Sequence, residues 1–448
     1  MATTRLLTVV AYYDDALAPP NEVYAWTGEP ITIGRGDPSG LNNGKLSVAD
    51  PRVSTAHAEL KVDRGSVVLR DLGSSNGTFV DGVRAQGPTL VDDGALIELG
   101  RTALVYRAAT PTRAQSVLPD KNEKAGARLG QLTTLNPELG ELFTRLLKVA
   151  TTDQPALLVG ETGTGKDVLA HEVHALSGRK GELVAVDCGA IPDNLFESTM
   201  FGHEKGAFTG ATEPREGEIV RAHRGTLFLD EVGNLSPSGQ AKLLRALETS
   251  VVTPLGSSKS EKVDVRWLAA TNRLVLGEDD GFRSDLLHRL AGFVVTLPPL
   301  RQRREDLGLL IAALLVKAGV KKAKLTPAAA RMLLNHPLPG NARQLRNVIN
   351  RAATAGDDVT IDEDALGALE IDGGPKPPRA TPAQPNDTPN ERMPPLRAKQ
   401  PGKEELEAVL IRAGGVVSEA ARALGTSPRQ LYRWLEKVGL DPDAFRKS

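Results

Sequence analysis

Over the first 108 residues, short β-branched and aliphatic runs alternate with Gly, Asn and Asp turns: "LLTVVA", "ITIG", "AELKV", "SVVLRDL", "ALIELG", "TALVYRA". That spacing predicts an all-β unit, most simply a sandwich. Residues 109–129 are polar and Ala/Pro-containing and are expected to be a linker. From about residue 130 the pattern changes. Continuous apolar strands alternate with helical segments, which predicts an α/β domain with a parallel sheet over 130–300 and a helical lid over 301–371. Residues 372–402 form a second linker. Nine prolines fall between Pro375 and Pro401 with almost no large apolar residue. Such a tether stays extended at about 3.1 Å per residue and reaches on the order of 80 Å. From 403 to 448 the period is helical again. Leu406, Val409 and Leu410 mark a first helix. Ser418 opens a second that ends at Gly425, and Ser427-Pro428 opens a third. Helix, short Gly turn, helix is a helix-turn-helix arrangement.

Composition narrows the function classes. The 448 residues have a formal net charge of −1, so bulk positive charge does not drive nucleic-acid binding, and any DNA contact is local or multiplied by assembly. Cys188 is the only cysteine, which excludes an internal disulfide and a cysteine metal cluster. No stretch approaches the roughly 20 apolar residues of a membrane span, and "MATTRLLTVVAYYDD" lacks the apolar run of a signal peptide. A cytoplasmic protein without a membrane partner is expected.

The chemistry concentrates in the α/β domain. "GETGTGKD" fits the phosphate-binding loop G-x-x-x-x-G-K over Gly160, Glu161, Thr162, Gly163, Thr164, Gly165 and Lys166. Its backbone N–H groups face phosphates at a helix N-terminus, and Lys166 reaches the β/γ-phosphates. Asp167 stands where the general motif has a Mg²⁺-ligating hydroxyl, so metal rests on another carboxylate or on water. "GTLFLDE" ends a buried strand with Asp230, placed to hold Mg²⁺, and Glu231, placed to polarise the attacking water. The bland reading of the pair is a cap on the following helix. "VRWLAATNR" ends with Asn272, suited to sensing the γ-phosphate, or serving only as a turn residue. "FRSDLLHRL" offers Arg283 and Arg289 as stabilisers of charge on a transferring phosphoryl group, or as solvated helix charges. Arg343 in "HPLPGNARQLRN" is expected to contact nucleotide from the lid.

These stretches, with "FGHEKGAFTGA" and "LPPLRQRRED", make residues 130–371 resemble the AAA+ domain of bacterial enhancer-binding proteins, the activators of sigma-54 RNA polymerase. An acidic residue after the P-loop lysine is usual there. The resemblance implies ATP and Mg²⁺ as cofactors and a homo-oligomeric ring, usually a hexamer and a dimer when inactive. It also implies Arg283 and Arg289 acting in trans, with Asn272 and Arg343 as sensors. Gly206, Ala207, Phe208, Thr209, Gly210 and Ala211 become a loop raised by the ATP state, whose Phe208 and Thr209 touch sigma-54. Small flanking residues let such a loop swing, and an exposed aromatic gives a compact apolar contact. The stretch "SVVTPLGSSKSEKVDV" reads as a hairpin supporting that loop. Two positions depart from the pattern. Asp187 stands where many members carry an Asn linking Glu231 to the loop, and Leu338 where an aromatic is common.

"IGRG", "VSTAHAEL" and "DLGSSNGTFVDG" resemble a forkhead-associated (FHA) domain, which binds phosphothreonine peptides. Arg35 supplies a guanidinium fork, Ser54 and Ser75 hydroxyl donors, Thr55 a backbone N–H, and Asn76 a bond to the peptide main chain. His57 is expected to hold the loops. Thr55 replaces a basic residue often found there, so weaker affinity is expected. The C-terminal unit resembles a Fis-type DNA-binding domain. Its third helix would present Arg429, Gln430 and Arg433 to bases, with Arg422 and Lys437 near phosphates. From Lys403 onward there are eight Lys/Arg against seven Asp/Glu, so one copy is expected to bind weakly.

The expected function is a sigma-54-dependent transcriptional activator. It would bind enhancer-like DNA, remodel the sigma-54 RNA polymerase holoenzyme with ATP, and answer to a phosphothreonine protein or a Ser/Thr kinase through the FHA domain. The competing reading is a phosphopeptide-dependent AAA+ scaffold or remodeller that does not act on sigma-54.

Overall fold

The computed structural model describes residues 3–20, 22–37, 41–119, 124–272 and 281–369, together with residues 406, 407, 410 and 435. The chain divides into a unit over Met1–Pro377 and a second over Pro378–Ser448. In the second unit Leu406, Leu410 and Leu435 are buried. Arg422, Arg429, Gln430, Arg433, Lys437 and the Pro-rich linker lie outside the described residues.

Alternation of apolar and polar positions produces two six-stranded sheets at the N-terminus, as the pattern predicts. One runs in spatial order Glu22–Trp26, Thr4–Tyr12, Thr102–Ala109, Leu96–Leu99, Thr78–Val80, Val83–Arg84. The other runs Thr89–Leu90, Ser66–Asp71, Ala58–Asp63, Ile31–Arg35, Lys45–Val48, Leu41–Asn42. Leu7, Val9, Ile33, Leu46, Leu60, Leu69, Ile97 and Leu104 fill the space between them.

The central sheet is parallel, in the order Leu183–Asp187, Thr226–Asp230, Arg266–Thr271, Ala156–Val159, Phe293–Thr296. Burial on both faces of the three inner strands explains why they read as unbroken apolar runs, whereas the two edge strands alternate buried and exposed positions. Arg266 is wholly buried at the start of its strand, where it donates to the Ala150 and Val149 carbonyls. It thereby caps the C-terminus of helix Pro137–Ala150.

The lid is built on helices Leu307–Lys317, Pro327–Asn335 and Asn341–Ala353. It is not purely helical, because Lys322–Leu325 and Asp358–Ile361 pair in parallel. Leu338, the departure from an aromatic, is 1% exposed within the lid core. No helix among the described residues is long and apolar enough to cross a membrane.

Two features differ from the sequence expectation. Within the segment expected to be a linker, Pro111–Val117 is a helix, capped by Thr110 and with Pro at its first turn. Its Ala114 and Val117 are buried in one cluster with Leu139, Phe143 and Leu146 of helix Pro137–Ala150. The sandwich, moreover, is continuous with the lid. Val10, Ala11, Tyr13, Leu96 and Val105 share a core with Leu300, Leu307, Ile311, Leu325 and Leu333. The Ala16 amide donates to the Ala323 carbonyl, and the Leu325 amide to the Tyr13 carbonyl, each at 2.9 Å or less. Gly308 lies so close that a Cβ there would sit 1.8 Å from the Val10 carbonyl oxygen. Only glycine admits that approach.

Candidate ATPase and loop sites

Strand Ala156–Val159 delivers the chain into the phosphate-binding loop, and helix Lys166–Leu176 leaves it. Gly165, the residue before that helix, is left-handed (φ 99°), and no side chain caps the first turn. The open N–H groups and the helix dipole make an anion site of this helix end. Lys166 is 6% exposed. Its ammonium donates to the Gly160 carbonyl at 2.8 Å and stands 4.0 Å from Glu231 Oε1. Burial lowers its pKa, and the nearby Glu231, Asp230 and Asp167 carboxylates oppose that shift.

Asp230 and Glu231 end strand Thr226–Asp230 beside the P-loop lysine. Burial raises the Asp230 carboxyl above its ordinary range, although the Glu231 amide donates to it and Lys166 attracts its charge; Asp187 and Asp167 add repulsion. A divalent cation is the natural relief for such a group. Among the described residues no three or more His, Cys, Asp or Glu side chains gather to hold a metal. Glu231 has a left-handed backbone (φ 51°), a strained setting for a non-glycine residue. Its Oε2 accepts the Asn272 amide at 3.3 Å, tying the strand ends together.

The lid grips this loop from outside. Arg301 donates to both Glu161 oxygens at 2.8 and 2.6 Å, and Asn341 Nδ2 reaches Glu161 Oε2 at 3.2 Å. Arg303 donates to the Thr164 carbonyl at 2.7 Å, and the Ala342 amide to the Gly163 carbonyl at 3.0 Å. A Cβ at Gly163 would lie 3.1 Å from Arg343 Cβ, so Arg343 stands over the P-loop while remaining exposed. Thr162 and Asp167 are exposed at the same loop. Arg301, Arg303 and Asn341 were not among the residues expected here. They lie in the motifs "LPPLRQRRED" and "PGNARQLRN", and each partner is more than a hundred residues away in the chain. Arg283 pairs with Asp285, and Arg289 with Glu248; both are exposed, and among the described contacts neither touches the P-loop.

The "GAFTGA" stretch lies between the paired strands Gly202–His203 and Arg215–Glu216. Gly206 and Gly210 both take positive φ (83° and 100°), with nothing within 4 Å of a Cβ. The glycines are there for backbone shape. Between them Phe208 is 40% exposed and meets the His203 ring edge-on at 5.0 Å. Thr209 is exposed, and Ala211 is buried. Strands Val251–Val252 and Glu261–Lys262 pair as a hairpin. Between them, the Leu255 carbonyl accepts the Glu204 amide, and the Leu255 amide donates to the Gly202 carbonyl, each at 2.9 Å. The hairpin therefore buttresses the loop's base. Asp187 is exposed, and its Oδ1 accepts the Gly189 amide at 2.9 Å; no described bond joins it to Glu231.

At the sandwich's end loops, Arg35 is exposed and donates to the Pro51 carbonyl at 3.3 Å. The Ser75 amide reaches Ser54 Oγ at 3.3 Å, and Asn76 Nδ2 the Arg52 carbonyl at 2.7 Å. Thr55 is exposed beside them. His57 is wholly buried, with Nδ1 accepting the Ser54 amide and Nε2 against the Gly77 carbonyl. Burial lowers its pKa, which keeps it the neutral tie between two loops. Burial pushes Asp71 up, but hydrogen bonds from Thr78, Ser74 and Gly73 outweigh it and hold the carboxyl at about 2.

Family models match in the same order as these parts. Residues 31–100 match the FHA domain, 132–296 the sigma-54 interaction domain, 301–381 an AAA+ ATPase lid domain, and 403–437 the bacterial regulatory protein Fis family. The Nif-specific regulatory protein of Azotobacter vinelandii is 39% identical over 304 residues, 66% of this chain and 57% of that one. The nitric oxide reductase transcription regulator NorR1 of Cupriavidus necator is 36% identical over 381 residues, 78% of this chain and 73% of that one. The chain belongs to the sigma-54-dependent transcriptional activators. As a member of that family it carries an FHA domain, an AAA+ ATPase with its lid and a Fis-type DNA-binding domain, and it is an ATPase. A crystal structure of NtrX from Brucella abortus in complex with ATP is also similar, at 30% identity, 70% coverage of each chain and a TM-score of 0.49.

Proposed function

We propose that this activator binds enhancer-like DNA through its C-terminal helices and works as a ring, a hexamer when active and a dimer when not. The ring converts ATP hydrolysis into movement of the 206–211 loop against sigma-54 holoenzyme. Lys166 and the P-loop amides hold the phosphates. Asp230 would hold Mg²⁺, which supplies charge neutralisation at the phosphates. Glu231 orients and deprotonates the attacking water. Arg283 and Arg289, which are exposed and make no described contact with their own P-loop, stabilise charge at a neighbour's site. Asn272 and Arg343 report the phosphate state to the strand end and to the lid.

The observation that carries this reading is the continuity from the acids to the loop. Glu231 leads through residues 232–236 into helix Pro237–Thr249, then into the Val251–Lys262 hairpin, whose Leu255 is bonded to the base of the loop. A shift at Glu231 thus has a packed route to Phe208. Purified protein is expected to retain sigma-54 on a resin with a transition-state ATP mimic and to lose it with ADP. Equal retention in both states would remove nucleotide-driven contact. No retention in either would favour a remodeller acting on another partner.

The FHA loops supply the regulatory input, a phosphothreonine segment of a partner or of this protein phosphorylated by a Ser/Thr kinase. Arg35→Ala is expected to weaken binding of phosphothreonine peptides at least tenfold, because a charge-assisted fork is lost. Titration by fluorescence anisotropy checks this, with unphosphorylated peptide as baseline. Unchanged affinity would assign the sandwich a purely packing role.

A further inference from the structure

On the last strand of the sandwich, Thr102–Ala109, Arg107 pairs with Asp93 of its own domain at 3.2 Å and also reaches beyond it. Arg107 Nε donates to Glu305 Oε1, and its Nη2 to Glu305 Oε2 and to the Gln302 carbonyl. Glu305 is wholly buried. Its other described partner is Asn136 Nδ2, at 3.4 Å, the residue that caps helix Pro137–Ala150. A buried carboxylate in that position is compensated mainly by the guanidinium. Residues on both sides of Gln302 reach the nucleotide loop: Arg301 forks onto Glu161, and the 8% exposed Arg303 holds the Thr164 carbonyl. Within this segment the contacts interleave: residues 301 and 303 hold the P-loop, Gln302, Arg304 and Glu305 meet the sandwich through Arg107 and Asp81, and Asp306 accepts from Thr134 and Leu135.

We propose that Arg107 is a positioning residue for the ATPase: acting through Glu305, it fixes the 301–303 turn, and so the P-loop, making the FHA sandwich a working part of its own subunit's nucleotide site. The sandwich is then more than a tethered receptor. With Arg107 removed, Glu305 is left a buried charge short of partners. Water or a displaced backbone must satisfy it, and Arg301 and Arg303 lose their fixed origin. Phosphate binding suffers most, since it depends on the preformed loop. The chemical step, run by Glu231, suffers least.

The test compares full-length variants by nucleotide affinity and by steady-state ATP turnover. Arg107→Ala is expected to raise both the Kd for ADP and the KM for ATP about tenfold, with kcat within about twofold. Glu305→Gln is expected to do the same. The double variant is expected to be no worse than either single one, because the two residues act as one unit. Arg107→Lys keeps the charge but not the fork, and should bring the affinity back to within about threefold of the parent. Glu98→Gln is the control for docking alone. Glu98 joins Tyr13 and lid residue Arg331 across the same sandwich–lid boundary without touching residues 300–306. Its nucleotide affinity should be unchanged. Unaltered affinity in Arg107→Ala, additive losses in the double variant, or an equal loss in Glu98→Gln would each overturn the proposal. Should Arg107→Ala fail to fold, the Glu305→Gln and Arg107→Lys pair carries the same comparison.

Discussion

Glu231→Gln is expected to bind ATP as the parent does and to hydrolyse it about 10²–10³-fold more slowly, the loss typical of a missing general base. The substitution keeps the size of the side chain and its acceptor for the Asn272 amide, so the strand end should hold its shape. It removes the basicity. Glu231 is in a position to use that basicity: its side chain is 22% exposed, so water reaches it, and it lies beside the Lys166 ammonium without being bound tightly by it. Single-turnover hydrolysis together with nucleotide titration separates chemistry from binding. A variant that turns over ATP at the parental rate would assign the strained αL geometry of residue 231 to the fold alone. Asp230→Asn should behave differently, since that carboxyl is the one whose charge a divalent cation is expected to relieve. Its loss should appear as a requirement for much higher Mg²⁺.

The strand, loop and helix that carry the candidate nucleotide site are legible in the sequence because they are local. A strand, a Gly-rich loop and a helix N-terminus are contiguous, and paired acids end a run of apolar residues. The grip on that loop was not legible. Arg301, Arg303 and Asn341 act on Glu161, Thr162 and Thr164 across a separation that no periodicity records. The helix at 111–117 is different, since the signals were present. Thr110 followed by Pro111 is a helix start, but Ala/Pro-rich polarity favoured a linker reading. The fusion of sandwich and lid was the least visible feature. Val10 and Val105 lie in the runs "LLTVVA" and "TALVYRA", which predict strands of a sandwich and nothing beyond it, and no local pattern sets Gly308 beside them. Only the fold shows that they face one another. Asp187 departs from the Asn of the family pattern, and accordingly its carboxylate bonds the Gly189 amide, with no described bond joining it to Glu231.

Thr209→Ala is expected to leave ATP turnover within about twofold of the parent and to abolish sigma-54-dependent transcription. The side chain is exposed at the loop tip and has no described bond to the rest of the domain, so its removal touches neither the P-loop nor the hairpin that supports the loop. Stability should change little, as for other exposed substitutions away from caps and cores. What is lost is the contact made when the loop is raised. Phe208→Ala should add a second signature. It removes the ring that rests edge-on against His203, and with it the apolar area offered to the partner. Retention of sigma-54 on a resin with a transition-state mimic should therefore fall in both variants while hydrolysis continues. Loss of hydrolysis alongside loss of retention would mean that the tip shapes the nucleotide site. Full activation by Thr209→Ala would mean that the partner is grasped elsewhere. In either case the route from Glu231 through Leu255 to the loop would have to be assigned another purpose.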